Sequence, residues 1–231
     1  PKRVYGGKKK TPATRLGNAA KMREAFIQAR TYQRKRERGE GERDLRWEIL
    51  ADVLEGKLPA RCHAHRADDI LTALRISREF GFRLTIEHCT EGHYVAEELA
   101  AAGVMCTLGP LLTGKSKQEL KDRSLEAAPA LERAGVVFGF TTDHPVIPSY
   151  SLPLCAAYAV GAGMSREGAL RALTLDPARV IGLEHRLGSL EAGKDADCIL
   201  TDGDLLDPRT RVLTTIVDGQ VAWTLQDGPR I

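Results

Sequence analysis

No apolar run in the 231-residue chain approaches the roughly 20 residues that a membrane-spanning helix needs, and Pro1-Lys2-Arg3 leads into Gly and Lys rather than into an apolar signal core. Neither a membrane nor a secretory route is indicated, and the cytoplasm is the default location. Cysteine is sparse and unpatterned: Cys62, Cys89, Cys106, Cys155 and Cys198 are odd in number, widely spread and never in a Cys-x-x-Cys pair. That spacing supports neither a disulfide framework nor a thiolate zinc knuckle, and reads as small buried side chains. Strong net charge is lacking too, since 34 basic against 31 acidic residues leaves +3. A basic stripe runs through residues 1–47 from Lys8-Lys9-Lys10 onward, but acidic residues follow directly and no recognition motif or aromatic platform accompanies it. A solvated helix face explains the stripe, and no nucleic-acid partner is expected. An initiator Met is also missing, which fits a fragment of a longer protein.

What is present is ordinary globular composition, 42% hydrophobic and 28% charged, enough for one large domain or a domain with a small appendage. Ala20, Met22, Phe26, Ile27 and Tyr32 recur among Lys and Arg over 18–38, which predicts a helix; it breaks at Gly39-Glu40-Gly41-Glu42. Leu45, Trp47, Leu50, Ala51 and Leu54 predict a second, short one. From Leu58 a short strand, a polar turn and a helix recur four times: 58–63 with 67–80, 83–88 with 94–101, 103–108 with a long loop and a helix ending near Ala134, and 136–143 with 152–162 and 166–173. Strand alternating with helix implies a parallel sheet with right-handed crossovers, with its chemistry at the C-terminal strand ends. Beyond Thr174 the pattern changes. Asp176 is expected to cap, and Pro177 to open, a short helix through Ile181. Strands follow at 197–201, 211–217 and 220–224, the last two joined by the hairpin signal Asp218-Gly219. Three strands are too few to stand alone and need partners.

Arg61-Cys62-His63-Ala64-His65 delivers two imidazoles in alternate positions, which share one face if the extended geometry persists. A hydrogen-bonded polar pair has the same spacing. What favours a metal is the rest of the chain: His63, His88 and Asp143 all close strand-like runs. Nitrogen and carboxylate oxygen suit zinc or a similar divalent ion, and Asp143 could hold the metal or take a proton from water. Singly, each residue reads better as a cap or a buried hydrogen-bonding group; together, at equivalent strand ends, they read as a metal site. The loop Gly109-Pro110-Leu111-Leu112-Thr113-Gly114-Lys115-Ser116-Lys117 follows the third strand, so Lys115 or Ser116 could reach a substrate carboxylate. It formally matches a phosphate-binding spacing. Pro110, Leu111 and Leu112 replace the small residues such a loop needs, and no helix clearly starts at Ser116, so the match is read as coincidence. Arg66, Arg123 and His144 are further substrate candidates whose alternative is a surface or supporting role. His93 and His185 read as a helix-start and a loop residue.

His63-Ala64-His65, Ile86-Glu87-His88, Thr142-Asp143-His144-Pro145 and the tail from Leu187-Gly188-Ser189-Leu190 through Glu191-Ala192-Gly193-Lys194 to Asp195-Ala196-Asp197 are the motifs through which the chain resembles the amidohydrolase superfamily, in particular its imidazolonepropionase-like and metal-dependent dipeptidase-like branch. The resemblance covers nearly the whole chain. It implies an α/β fold: the C-terminal half of a (β/α)8 TIM-like barrel over 1–186, carrying strands 5 to 8, and part of a small β-sandwich domain over 187–231. It implies that His63 and His88 are metal ligands and that Asp143 is the strand-8 carboxylate that binds metal and shuttles protons. His65 lies where related enzymes place a substrate-contacting polar residue, with a second metal ligand as the alternative. One or two divalent ions, zinc by preference, and hydrolysis of a C–N bond in a small amide, lactam or amino-acid-derived substrate follow from the same resemblance; a homo-oligomer is compatible with it. Those enzymes carry a His-x-His pair on strand 1, whereas this sequence has no histidine before His63. The missing half is expected upstream, and Lys2 lies too near the start to be assigned the role of a carboxylated bridging lysine. A non-catalytic fragment or binding module on the same fold is the competing reading.

Overall fold

Thr14 starts the first helix. In the computed structural model, which describes residues 10–115 and 117–229, its hydroxyl accepts the Gly17 backbone N–H at 3.0 Å. That cap sets the beginning of α1 (Arg15–Glu37) ahead of the apolar pattern. Phe26 of α1 stacks on Phe82 at 4.5 Å between ring centroids and tilts against Phe80 at 5.2 Å. Part of the basic stripe is engaged with acidic groups rather than free: Arg15 pairs with Asp69 at 2.9 Å and Arg23 with Glu79 at 2.6 Å. α2 (Leu45–Leu54) begins at Asp44, whose carboxylate accepts the Arg46 N–H.

The four predicted strand–helix units are present. β1 (Ala60–Ala64), β2 (Leu84–His88), β3 (Met105–Leu108) and β4 (Phe138–Phe140) form a parallel sheet in the order β1-β2-β3-β4. The crossovers are α3 (Ala67–Phe80), α4 (Ala96–Ala101) and α5 (Ala127–Arg133); α6 (Leu152–Gly161), α7 (Arg166–Arg171) and α8 (Leu175–Ile181) follow β4. Strand alternation decides the layering. Leu84, Ile86, Cys106, Leu108, Phe138 and Phe140 turn one way and join a core with Ile70, Leu74, Leu99, Leu131 and Cys155 from the helices. Arg61, Glu87 and Thr107 turn the other way and meet one another through hydrogen bonds across the sheet.

Several local expectations shift. The helix expected over 94–101 starts only at Ala96, after a single 3-10 turn at Gly92–Tyr94. Asp176 does not cap α8: it lies inside the first turn, 4% exposed, with Arg179 donating to it at 2.9 Å and Arg171 forming an ion pair with it at 3.6 Å. Two guanidinium groups attract the carboxylate more strongly than one backbone N–H, so Thr174 holds the N-cap position without a side-chain bond. Of the cysteines, Cys89, Cys106 and Cys155 are buried, while Cys62 and Cys198 are only half-buried.

The C-terminal strands β5 (Cys198–Thr201), β6 (Val212–Val217), β7 (Gln220–Thr224) and β8 (Gly228–Pro229) make a separate antiparallel sheet in sequence order. β8 is a fourth strand, too short to show as an alternating pattern. Asp218 and Gly219, at φ 49° and 73°, form the predicted hairpin turn. Leu206 buries into the main core, and Arg166 pairs with Asp204 across the two parts. Among the described residues, no helix is long and apolar enough to cross a membrane.

Candidate metal centre

The register of the sheet creates the site. β1 and β2 pair in parallel with Ala64 opposite His88, so the ends of both strands stop level and three imidazoles rise from one edge. The ring centroids lie 4.8 Å apart for His63 and His65, 4.4 Å for His63 and His88, and 4.6 Å for His65 and His88. One ligand nitrogen from each ring lies within 4.8 Å of the others.

The His65 and His88 rings are held from behind. Arg66 stands at the N-cap of α3 but offers no side-chain cap bond, and Glu91 supplies one from the next loop, accepting the Ala67 N–H at 2.9 Å. The Glu91 N–H in turn donates to the His65 carbonyl at 2.8 Å, so the loop after β2 clamps the end of β1. Thr90 Oγ1 sits 2.8 Å from His65 Nδ1. His88 Nδ1 lies 2.8 Å from the Gly109 carbonyl oxygen. A carbonyl only accepts, so that nitrogen carries the proton and Nε2 is left with the lone pair. His88 takes φ 74°, Cys89 φ 43° and Asp143 φ 52°, in the left-handed region where residues with a Cβ are uncommon. Such backbone persists where surrounding bonds over-determine it, and it clusters at functional sites.

Burial, together with the neighbouring His88 and His63, pushes the pKa of His65 from its ordinary 6.5 to about 3; the residue is 5% exposed. His63 keeps a solvent-facing edge and is also lowered, by burial first and by His88; Glu119 and Asp143 oppose the shift and Lys117 adds to it. Neutral imidazoles are the form that ligates metal. Four-coordinate zinc with bonds of 2.0–2.1 Å holds its nitrogens about 3.3 Å apart, so the three rings need only a modest contraction around an ion. The donor set fits a divalent metal.

The structure thus gathers His63, His65 and His88. Asp143, just beyond β4, is exposed and outside the group of three, although its charge reaches His63; its N–H donates to Thr141 Oγ1 at 3.2 Å. His144 is exposed beside it, and Lys115 is exposed on the loop after β3. The Arg66 guanidinium is paired with Asp68 at 2.9 and 3.0 Å. Arg123 is half-buried. Ser116 and Lys2 lie outside the described residues. Sequence reasoning missed Glu119, whose Oε1 is 3.9 Å from His65 Nε2 and which lines, with His63, His65, Arg15 and Asn18, a cleft of about 140 Å³. It also missed Thr90, Glu91 and the Gly109 carbonyl. Thr90 and Glu91 follow His88 closely enough to have been suspected; Glu119 sits in a single 3-10 turn at Gln118–Leu120, with no spacing signal.

The model of the amidohydrolase family matches residues 47–222. Among solved structures, an amidohydrolase from Thermotoga maritima MSB8 superimposes with a TM-score of 0.93 at 44% identity, over 97% of this chain and 60% of that one. Among curated proteins, the amidohydrolase tasK of Hapsidospora irregularis is 27% identical over 94% of this chain and 24% of its own length. An imidazolonepropionase of Paracidovorax citrulli (strain AAC00-1) is 33% identical over 62% of this chain and 34% of its own length. The chain therefore spans between about a quarter and three fifths of the length of these three proteins. Its parallel sheet corresponds to part of the TIM-like barrel of these structures.

Proposed function

This chain belongs to the amidohydrolase family, and on that footing we propose that it carries part of the active site of a metal-dependent hydrolase cleaving a C–N bond in a small amide, lactam or amino-acid-derived compound. The observation that supports this most directly is the convergence of His63, His65 and His88 at one edge of the parallel sheet. His63 and His88 are assigned as ligands. For His65 the geometry favours a third imidazole donor over a substrate contact, because its ring packs against both. A divalent metal, zinc by preference for a nitrogen-rich set, supplies Lewis acidity that acidifies water and polarises a carbonyl oxygen. Asp143, beyond β4 on the same side, takes the proton from the attacking water and returns it to the leaving nitrogen. His144, Lys115 and Arg66 stand around this edge as substrate-facing groups. The barrel portion is assigned to residues up to 186 and the β portion to 187–231.

The test is metal analysis and turnover. Protein purified without chelator should hold a divalent metal. His63→Ala and His88→Ala should lose it, whereas Asp143→Asn should keep most of it while hydrolysis of a panel of small amides falls by about 100-fold or more. His65→Gln separates its two roles, since loss of metal supports the ligand and retained metal with a raised KM supports the substrate contact. Absence of metal together with unchanged hydrolysis in His63→Ala sinks the proposal. Metal without hydrolysis of any amide supports the binding-module reading instead.

A further inference from the structure

Beneath the histidines, a polar string crosses three strands. Arg61 on β1 donates to Glu87 Oε1 on β2 through Nε at 2.9 Å and pairs with the same oxygen through Nη2 at 2.7 Å. Thr107 on β3 donates its hydroxyl to the other oxygen, Glu87 Oε2, at 2.9 Å. The same Thr107 oxygen accepts the backbone N–H of His88 at 3.1 Å. The direction of each bond is fixed by chemistry. A carboxylate facing a guanidinium is acceptor-only, so it claims the single hydroxyl hydrogen of Thr107, and the threonine lone pairs are then turned towards the His88 N–H.

We propose that Glu87 and Thr107 are positioning residues for His88, with Glu87 orienting the Thr107 hydroxyl and Thr107 anchoring the His88 backbone in its left-handed conformation. The inference rests on the reading of His88 as a metal ligand and adds to it residues that touch neither metal nor substrate. Three bonds surround His88 at φ 74°: its N–H to Thr107, its carbonyl from the Gly109 N–H at 3.2 Å, and its Nδ1–H to the Gly109 carbonyl at 2.8 Å. Two of them tie His88 to residue 109, which follows β3, and the third ties it to Thr107 within β3. Together they fix both the peptide plane and the ring. Backbone at positive φ is strained outside glycine and persists only when its surroundings over-determine it, so each anchor matters to where Nε2 points. Arg61 serves the same string by pairing its guanidinium with the Glu87 carboxylate.

The other features of the molecule have simpler roles. Glu132 holds the start of α7 through Ser165, and Asp176 is neutralised by Arg171 and Arg179. The string under His88 is different because it ends on a backbone N–H that no regular strand partner takes.

The experiment compares Thr107→Val, Thr107→Ser and Glu87→Gln with the unmodified chain, using two readouts. In metal-free protein, hydrogen exchange at the His88 amide should speed up about 10-fold or more in Thr107→Val, which keeps the shape and removes the acceptor, and should stay near the unmodified rate in Thr107→Ser. In a titration with Co2+ alone, Thr107→Val should weaken binding by about 10- to 100-fold and alter the visible absorption of the bound ion, with Thr107→Ser restoring both. Glu87→Gln, which leaves the threonine in place, should fall between the two and provides the reading if Thr107→Val does not fold. Unchanged His88 exchange in both Thr107→Val and Glu87→Gln overturns the inference, as does a Thr107→Ser variant as impaired as Thr107→Val. If the unmodified chain binds no Co2+ while Thr107→Val still exposes the His88 amide, the metal reading fails and the anchor stands.

Discussion

Gly109→Ala should damage this protein through one identifiable collision. Gly109 sits at φ 143°, and a Cβ built there would fall well inside contact distance of the Thr141 carbonyl oxygen and 3.1 Å from its carbonyl carbon. The backbone conformation alone costs a residue with a side chain about 1–3 kcal/mol. Pressing a methyl group against a neighbouring strand end adds about 1–3 kcal/mol. The middle of the combined range is about 4 kcal/mol, which for a chain of this size lowers Tm by about 8–16 °C. The fault also has a direction. Thr141 is tied to β3 by its N–H to the Leu108 carbonyl at 3.0 Å, so the freer response is for residue 109 to move away from it. That motion withdraws the carbonyl that holds His88 Nδ1, and metal affinity should fall by about 10- to 100-fold, as when an outer partner of a ligand is lost. Thermal unfolding without metal and a metal titration measure the two effects. Gly114→Ala is the control: nothing lies within 4 Å of a Cβ there, and the substitution should be neutral or stabilising by up to about 1 kcal/mol. If Gly109→Ala melts within a degree or two of the unmodified chain and binds metal as tightly, the account of the strand end is wrong.

Two further outcomes follow from the same structure. Folding depresses the His65 pKa from 6.5 to about 3, so the neutral form is the one folding favours. Its contribution is whole above pH 6.5 and is lost as pH falls through the window towards 3; between pH 7 and pH 5 the metal-free chain should lose about 2 kcal/mol of stability from this residue. Urea unfolding at the two pH values measures it, and His65→Gln should remove that part of the slope; an equal slope in the variant would contradict the assignment. Phe26→Ala should cost about 3–5 kcal/mol, because the ring is 8% exposed and packs on Phe80 and Phe82. A shift in the urea midpoint worth under 1 kcal/mol would mean that α1 does not hold the C-terminal end of α3 through this ring.

Much of the fold was legible because it is written in local periodicity. The four strand–helix units, α3 over the whole span expected for it, and the Asp218-Gly219 hairpin all rest on alternation, amphipathic spacing or turn chemistry, which depend on neighbours in sequence. His63 and His88 could be singled out for the same reason, since each ends a strand-like run and parallel strands put their ends together. Features that depend on which of several competing groups claims a side chain could not be read this way. Asp176 looks like a cap until Arg171 and Arg179 claim it.

The sequence by itself determined that this is an α/β chain with imidazoles at strand ends and motifs of a metal-dependent family. Only the tertiary structure decided how those imidazoles meet. The register that sets Ala64 opposite His88 brings His65 into the group, where the family resemblance had given it a substrate-contacting role with a second metal ligand as the alternative. The supporting partners, Thr90 and Gly109 behind the rings, Glu119 beside them, and Thr107 with Glu87 beneath, come from other loops and strands. Hydrogen bonds between residues far apart in the chain leave no periodic trace, because their geometry is set by packing rather than by local backbone preference.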